Sequence, residues 1–60
     1  MSKTYAVVAI ENNVVVDQQW SLTKHEFPIV VKMWRSRLPF ATLAVENSHG
    51  RIEQTFGPSK

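Results

Sequence analysis

From Phe27 to Leu38 the large apolar residues fall at Phe27, Val30, Val31, Trp34 and Leu38, the spacing of one helical stripe. On both sides of that stripe the pattern changes to the two-residue alternation of strands. A lone amphipathic helix has one apolar face and must bury it on something, so the flanking strands have to supply the sheet that receives it. The segment Thr23-Lys24-His25-Glu26 matches a capping box, with Thr23 capping and Glu26 reaching back. Pro28 sits badly in a helix begun at Thr23, because it removes a backbone donor and crowds the preceding turn. The regular helix is therefore expected to start nearer Phe27, with Pro28 in its first turn, and to stop at Pro39. The β-branched run Ile29-Val30-Val31 keeps a strand reading as the alternative, which would make the chain a five-stranded small β-barrel.

The N-terminal segments 4–11 and 14–20 are rich in Val, Ile, Tyr and Trp and are separated by Asn12-Asn13, a pair that tolerates positive φ and so marks a hairpin turn. In the second of them Val14, Val16 and Trp20 share one face, and Val15, Asp17 and Gln19 share the other. The first has apolar residues on both faces, Tyr5, Val7 and Ala9 on one and Ala6, Val8 and Ile10 on the other, as a central strand would. A two-residue loop and a three-residue loop with a bulge put different sets beside the second strand, and both registers stay open. Further on, Ala41, Leu43 and Val45 alternate with Phe40, Thr42, Ala44 and Glu46, followed by the turn residues Asn47-Ser48-His49-Gly50. A four-residue loop there pairs Glu46 with Arg51 and sets Ile52 and Phe56 on the face of Leu43 and Val45, with Gln54 between them.

The expectation is an α+β fold, ββαββ, with a four-stranded sheet and one helix packed on one face. A single domain spans residues 1–60, ordered from about residue 3 to 57, with 58–60 a fraying tail. A grasp-like strand order, 2-1-4-3 with the first and last strands parallel in the middle, would account for the doubly apolar first strand. Sixty residues leave no room for a second domain or a cofactor-binding βαβ unit, and a chain with no cysteine has no disulfide, thiolate metal site or cysteine nucleophile. Its stability must come from packing or from a partner.

Chemistry is sparse. His25 and Glu26 are neighbours at the helix start, where their side chains diverge, and His49 lies in a turn beside Gly50. The simpler reading, a solvated helix start and a tolerated turn residue, outweighs a catalytic or metal role. The two glycines, Gly50 and Gly57, do not form a phosphate loop. We expect no enzyme, no cofactor and no metal.

Charge is more informative. The formal net charge is +2, and the helical segment holds Lys24, Lys32, Arg35 and Arg37 against Glu26 alone. On a helical wheel Lys24, Lys32 and Arg35 gather opposite Val30 and Trp34, whereas Asp17, Glu46 and Glu53 are expected on the sheet face away from the helix. A basic helix face is commonly no more than a solvated one. Read functionally, it suits an acidic protein surface, with Lys32, Arg35 and Arg37 docking electrostatically and Ile29 and Met33 as apolar contacts between them. The alternative is nucleic-acid binding through Lys24, Lys32 and Arg35, a thin footprint without exposed aromatics to stack on bases. Trp34, in the middle of the stripe, is expected in the core.

The expected function is a non-enzymatic protein–protein interaction module: a small regulator, inhibitor or adaptor docking on a larger host or complex component. Its size and style suit a phage or mobile-element factor. A homodimer through the open sheet face is a further arrangement, since one apolar set of the first strand, with Val15, Phe40 and Ala44, is left over there. With no long apolar run, the expected location is cytoplasmic, with no membrane partner.

Overall fold

The computed structural model describes residues 3–58. Five elements follow in the order β1 (Tyr5–Glu11), β2 (Val14–Leu22), α1 (Phe27–Arg37), β3 (Thr42–Glu46) and β4 (Ile52–Phe56). This is the expected α+β, ββαββ arrangement, with helix rather than strand over the Ile29-Val30-Val31 run, so the five-stranded barrel is set aside. Ser59 and Lys60, in the expected tail, lie outside the described residues.

The sheet order is β2-β1-β3-β4, and all three pairings are antiparallel. This corrects the grasp-like order: β3, not β4, lies beside β1. The reason is in the side chains. Leu43, Ala44 and Val45 of β3 are all buried, which suits a strand with a neighbour on each side, whereas β4 reads Ile-Glu-Gln-Thr-Phe and is exposed throughout. The argument that makes β1 central applies equally to β3. The short connection between Arg37 and Thr42 also brings β3 in directly after the helix.

Asn12 and Asn13 have φ of 54° and 64°, the two positive values of a type I′ turn, and Glu11 pairs with Val14 across it. The loop is therefore the two-residue one. Two bulges then reshape β2. Between Ala9↔Asp17 and Ile10↔Val15 the strand gains Val16, and between Val7↔Gln19 and Tyr5↔Leu22 it sets Trp20 and Ser21 against Ala6. Ser21 adopts φ of 61°. Beyond the bulges, Asp17, Gln19 and Leu22 stand opposite Ala9, Val7 and Tyr5, so they share the helix side of the sheet. The uninterrupted alternation expected for this strand is thus corrected. Trp20 is 64% exposed, Leu22 is buried, and Asp17 faces the helix side rather than the open face.

The Thr23–Glu26 box forms as the sequence predicts. The Glu26 carboxylate accepts from the Thr23 N–H (2.9 Å), and the Thr23 hydroxyl accepts from the Glu26 N–H (3.2 Å). It makes a single turn that feeds α1, which begins at Phe27 with Pro28 in its first turn, where a missing N–H costs nothing. Val7, Ala9, Leu43 and Val45 from the central strands meet Phe27, Val30 and Trp34 of the helix, and Leu22 and Ala41 complete the core. Tyr5 stacks obliquely on Phe27, with ring centroids 4.9 Å apart.

The second hairpin forms, with Gln54 and Phe56 on the face of Leu43 and Val45 as expected, but its register is corrected. Leu43 stands opposite Phe56 and Val45 opposite Gln54, where a Glu46–Arg51 pair would set them opposite Gln54 and Ile52. Its turn differs. A bulge at Glu53, opposite the step from Val45 to Glu46, pairs Glu46 with Ile52 rather than with Arg51, so Ile52 shares the face of Glu46 instead of that of Leu43 and Val45 and is largely exposed. The Asn47 carboxamide oxygen accepts from the His49 and Arg51 N–H groups (2.9 and 3.0 Å), and Gly50 takes φ of 77°. With the Asn47 N–H donating to the Arg51 carbonyl at 2.8 Å, these bonds close a five-residue loop, 47–51, in place of the four-residue one.

Candidate docking groove beside the helix

One helix is about 10 Å across, and strands in a sheet are about 4.8 Å apart, so a single helix covers two strands of a four-stranded sheet. Here α1 packs across the central pair, β1 and β3. The outer strands are left to be closed by side chains, and the two flanks close differently.

On the β2 flank, Leu22 fills the space near the helix start, and Arg37 bonds Asp17 at 2.9 Å near its end. The Arg37 guanidinium also lies over the Trp34 ring, 6.0 Å from its centre. On the β4 flank the closure is a single residue. Arg35 donates to the carbonyls of Ala41 (3.1 Å), Pro39 (3.4 Å), Phe56 (3.1 Å) and Gly57 (2.6 Å). That bridge ties the helix end to the α1–β3 turn and to the end of the edge strand. Below it, a groove of about 490 Å³ stays open between α1 and β4.

The groove floor and inner wall are Phe27, Pro28 and Val31 of the helix and Phe56 of the strand. Gln54 and Ser36 add small polar groups, and Lys32 and Arg35 stand on the helix rim. No carboxylate lines it among the described residues. The acids adjoining its lining in the sequence have other partners: Glu26 accepts from the Thr23 N–H at 2.9 Å, and Glu53 accepts from the Asn47 carboxamide at 3.2 Å.

The residues singled out in the sequence do not form one array. Ile29 and Met33, each 61% exposed, lie together on the helix flank opposite the groove, on the side of Arg37. Arg37 is already paired with Asp17, and Arg35 has its guanidinium directed onto four backbone carbonyls rather than standing opposite Val30 and Trp34. Lys24, in the turn before the helix, and Lys32 are exposed. Of the Lys24, Lys32 and Arg35 set, the two lysines thus present ammonium groups to solvent. Phe56, Val31 and Phe27 were legible as apolar but not as groove-lining. The available signal was the polar character of β4, which marks it as an edge strand that a single helix cannot reach.

The open sheet face is less bare than the sequence suggests. Val8 and Ala44, central on it, are buried by their neighbours within the sheet, while Val15 and Trp20 are exposed toward the β2 edge. Phe40, in the α1–β3 turn, is exposed. His25 and His49 are at the surface, and among the described residues no group of three or more His, Asp and Glu could hold a metal ion. No described helix is long and apolar enough to cross a membrane. Comparison with protein-family models, with curated proteins and with solved structures finds no match to this chain.

Proposed function

We propose that this chain is a non-enzymatic docking module that regulates, inhibits or bridges a larger protein by occupying its surface. The observation that carries the reading is the apolar groove left open between α1 and β4, with cations on its rim and no acid in its lining. A domain this small has little stability to spare, and apolar surface left in solvent within it favours association. Ile29 and Met33 on the opposite flank of α1 add a second apolar strip. Arg35 and Arg37 hold the helix against the sheet, so the electrostatic share of docking falls mainly to Lys32.

The test is retention of a protein from a cell lysate on the immobilised chain, with and without nuclease. The complex should survive nuclease and about 0.5 M salt, where screening acts beyond roughly 4 Å and apolar contacts remain. Material lost on nuclease treatment, with a steep salt dependence, would replace this reading with nucleic-acid binding through Lys24 and Lys32.

A further inference from the structure

We infer that the groove between α1 and β4 takes an amphipathic, acidic helix from another protein, which lies beside α1 as the second helix of the layer. The inference rests on the docking reading above and specifies its site and partner chemistry.

The geometry comes first. Neighbouring packed helices lie about 8–10 Å apart, and the line of α1 runs over β1 and β3. A second helix at that distance on the β4 side falls over β4 itself, which no helix covers. Phe27 and Val31 already form an apolar wall along one side of that position, and Phe56 forms its floor. An incoming helix with apolar residues at i, i+3, i+4 and i+7 would bury them against these three.

Charge then selects among occupants. Lys32 stands exposed on the rim and no acid lines the groove, so Glu or Asp flanking the apolar stripe of the guest is favoured, with Lys32 as its partner. A second copy of this chain fits poorly, because its own helix carries Lys32, Arg35 and Arg37 and no carboxylate from Phe27 to Arg37. Two such helices side by side would place like charges together. Nucleic acid fits poorly too, since the lining is apolar and Arg35 is already bonded to carbonyls. A small apolar ligand needs most of its surface enclosed, and no strand beyond β4 supplies an outer wall.

The experiment uses the full chain, labelled for amide NMR, titrated with two synthetic helical peptides of about five turns. Both carry the same leucine stripe; one has Glu on its flanks and the other Lys. The Glu peptide should shift the amides of Val31, Lys32, Ser36, Gln54 and Phe56 and saturate, with the Lys peptide about tenfold weaker or more. Lys32→Glu should weaken the Glu peptide about fivefold and improve the Lys peptide. Phe56→Lys should abolish the shifts. Because Phe56 also packs on the sheet, the exposed Lys32 variant keeps the test decisive if Phe56→Lys fails to fold.

Equal binding of both peptides, shifts confined to Ile29, Met33 or Trp20, or no shift at millimolar peptide would each overturn the groove assignment. Groove shifts that grow with the concentration of the chain alone would assign the site to a second copy, and groove shifts from an oligonucleotide would assign it to nucleic acid. If a lysate protein is retained by the Lys32→Glu and Phe56→Lys variants but lost with Met33→Arg, the docking reading stands and the groove assignment fails.

Discussion

The two flanks of α1 meet the same sheet under different terms. Toward β2 the helix is sealed: Leu22 is buried, and Arg37 reaches Asp17. Toward β4 it is held at one end by Arg35 and is otherwise open. Both outer strands lie equally beyond the reach of one helix, so distance does not explain the difference. The bulges do. Both outer strands carry them, with opposite outcomes. By inserting Val16 and then Trp20-Ser21, β2 turns Asp17 and Leu22 toward the helix side. By inserting Glu53, β4 pairs Ile52 with Glu46 on the face away from the helix, leaving Gln54 and Phe56 on the helix side. The bulges of one strand finish a core that the bulge of the other leaves unfinished, and the unfinished side is the groove.

Four measurements would break or sharpen this contrast. Leu22→Ala should have the largest effect, a loss of about 2–4 kcal/mol in urea unfolding followed by the fluorescence of buried Trp34. Phe56→Ala should cost less than half as much. Equal losses would mean that both flanks belong to one core. Arg35→Gln should cost about 1–2 kcal/mol, since a charged donor to backbone carbonyls is lost from a part-buried position. It should also speed hydrogen exchange in β4 ahead of β2. Arg35→Lys should not restore the loss, because an ammonium cannot span carbonyls on both the turn and the strand.

A double-mutant cycle on Arg37 and Asp17, whose side chains are 61% and 41% exposed, should give a coupling of only about 0.2–1 kcal/mol that fades with salt. A larger value would make the ion pair, rather than Leu22, the seal on that flank. The smallest effect on folding is expected from Lys32→Glu, within about 0.5 kcal/mol of the parent, although the same change should alter binding. A marked destabilisation would give Lys32 a place in the fold rather than on the rim of a site.

Much of this molecule is readable from local pattern. The capping box, the place of Pro28, the Asn12-Asn13 turn and the shared face of Leu43, Val45, Gln54 and Phe56 each depend on residues close in sequence. The expected strand order was wrong: it gave the doubly apolar β1 an inner neighbour in β4, although the apolar Leu43-Ala44-Val45 run marks β3 as the second central strand. The bulges were not legible. A bulge trades regular pairing for burial several residues away, and alternation alone does not show that Leu22, rather than Trp20, is the buried residue at the end of β2. The groove was hidden for a related reason. Phe27, Val31 and Phe56 read as core residues until the helix is seen to cover only the central strands.

The sequence by itself determined the two hairpins and favoured a helix between them, because periodicity, caps and turn residues act within a few positions of the chain. The tertiary structure decided which residues close the helix against the sheet and which stay open. Leu22 and Phe56, Arg35 and Arg37 differ little in kind, and only the bulges of the outer strands and the reach of one helix give them different work.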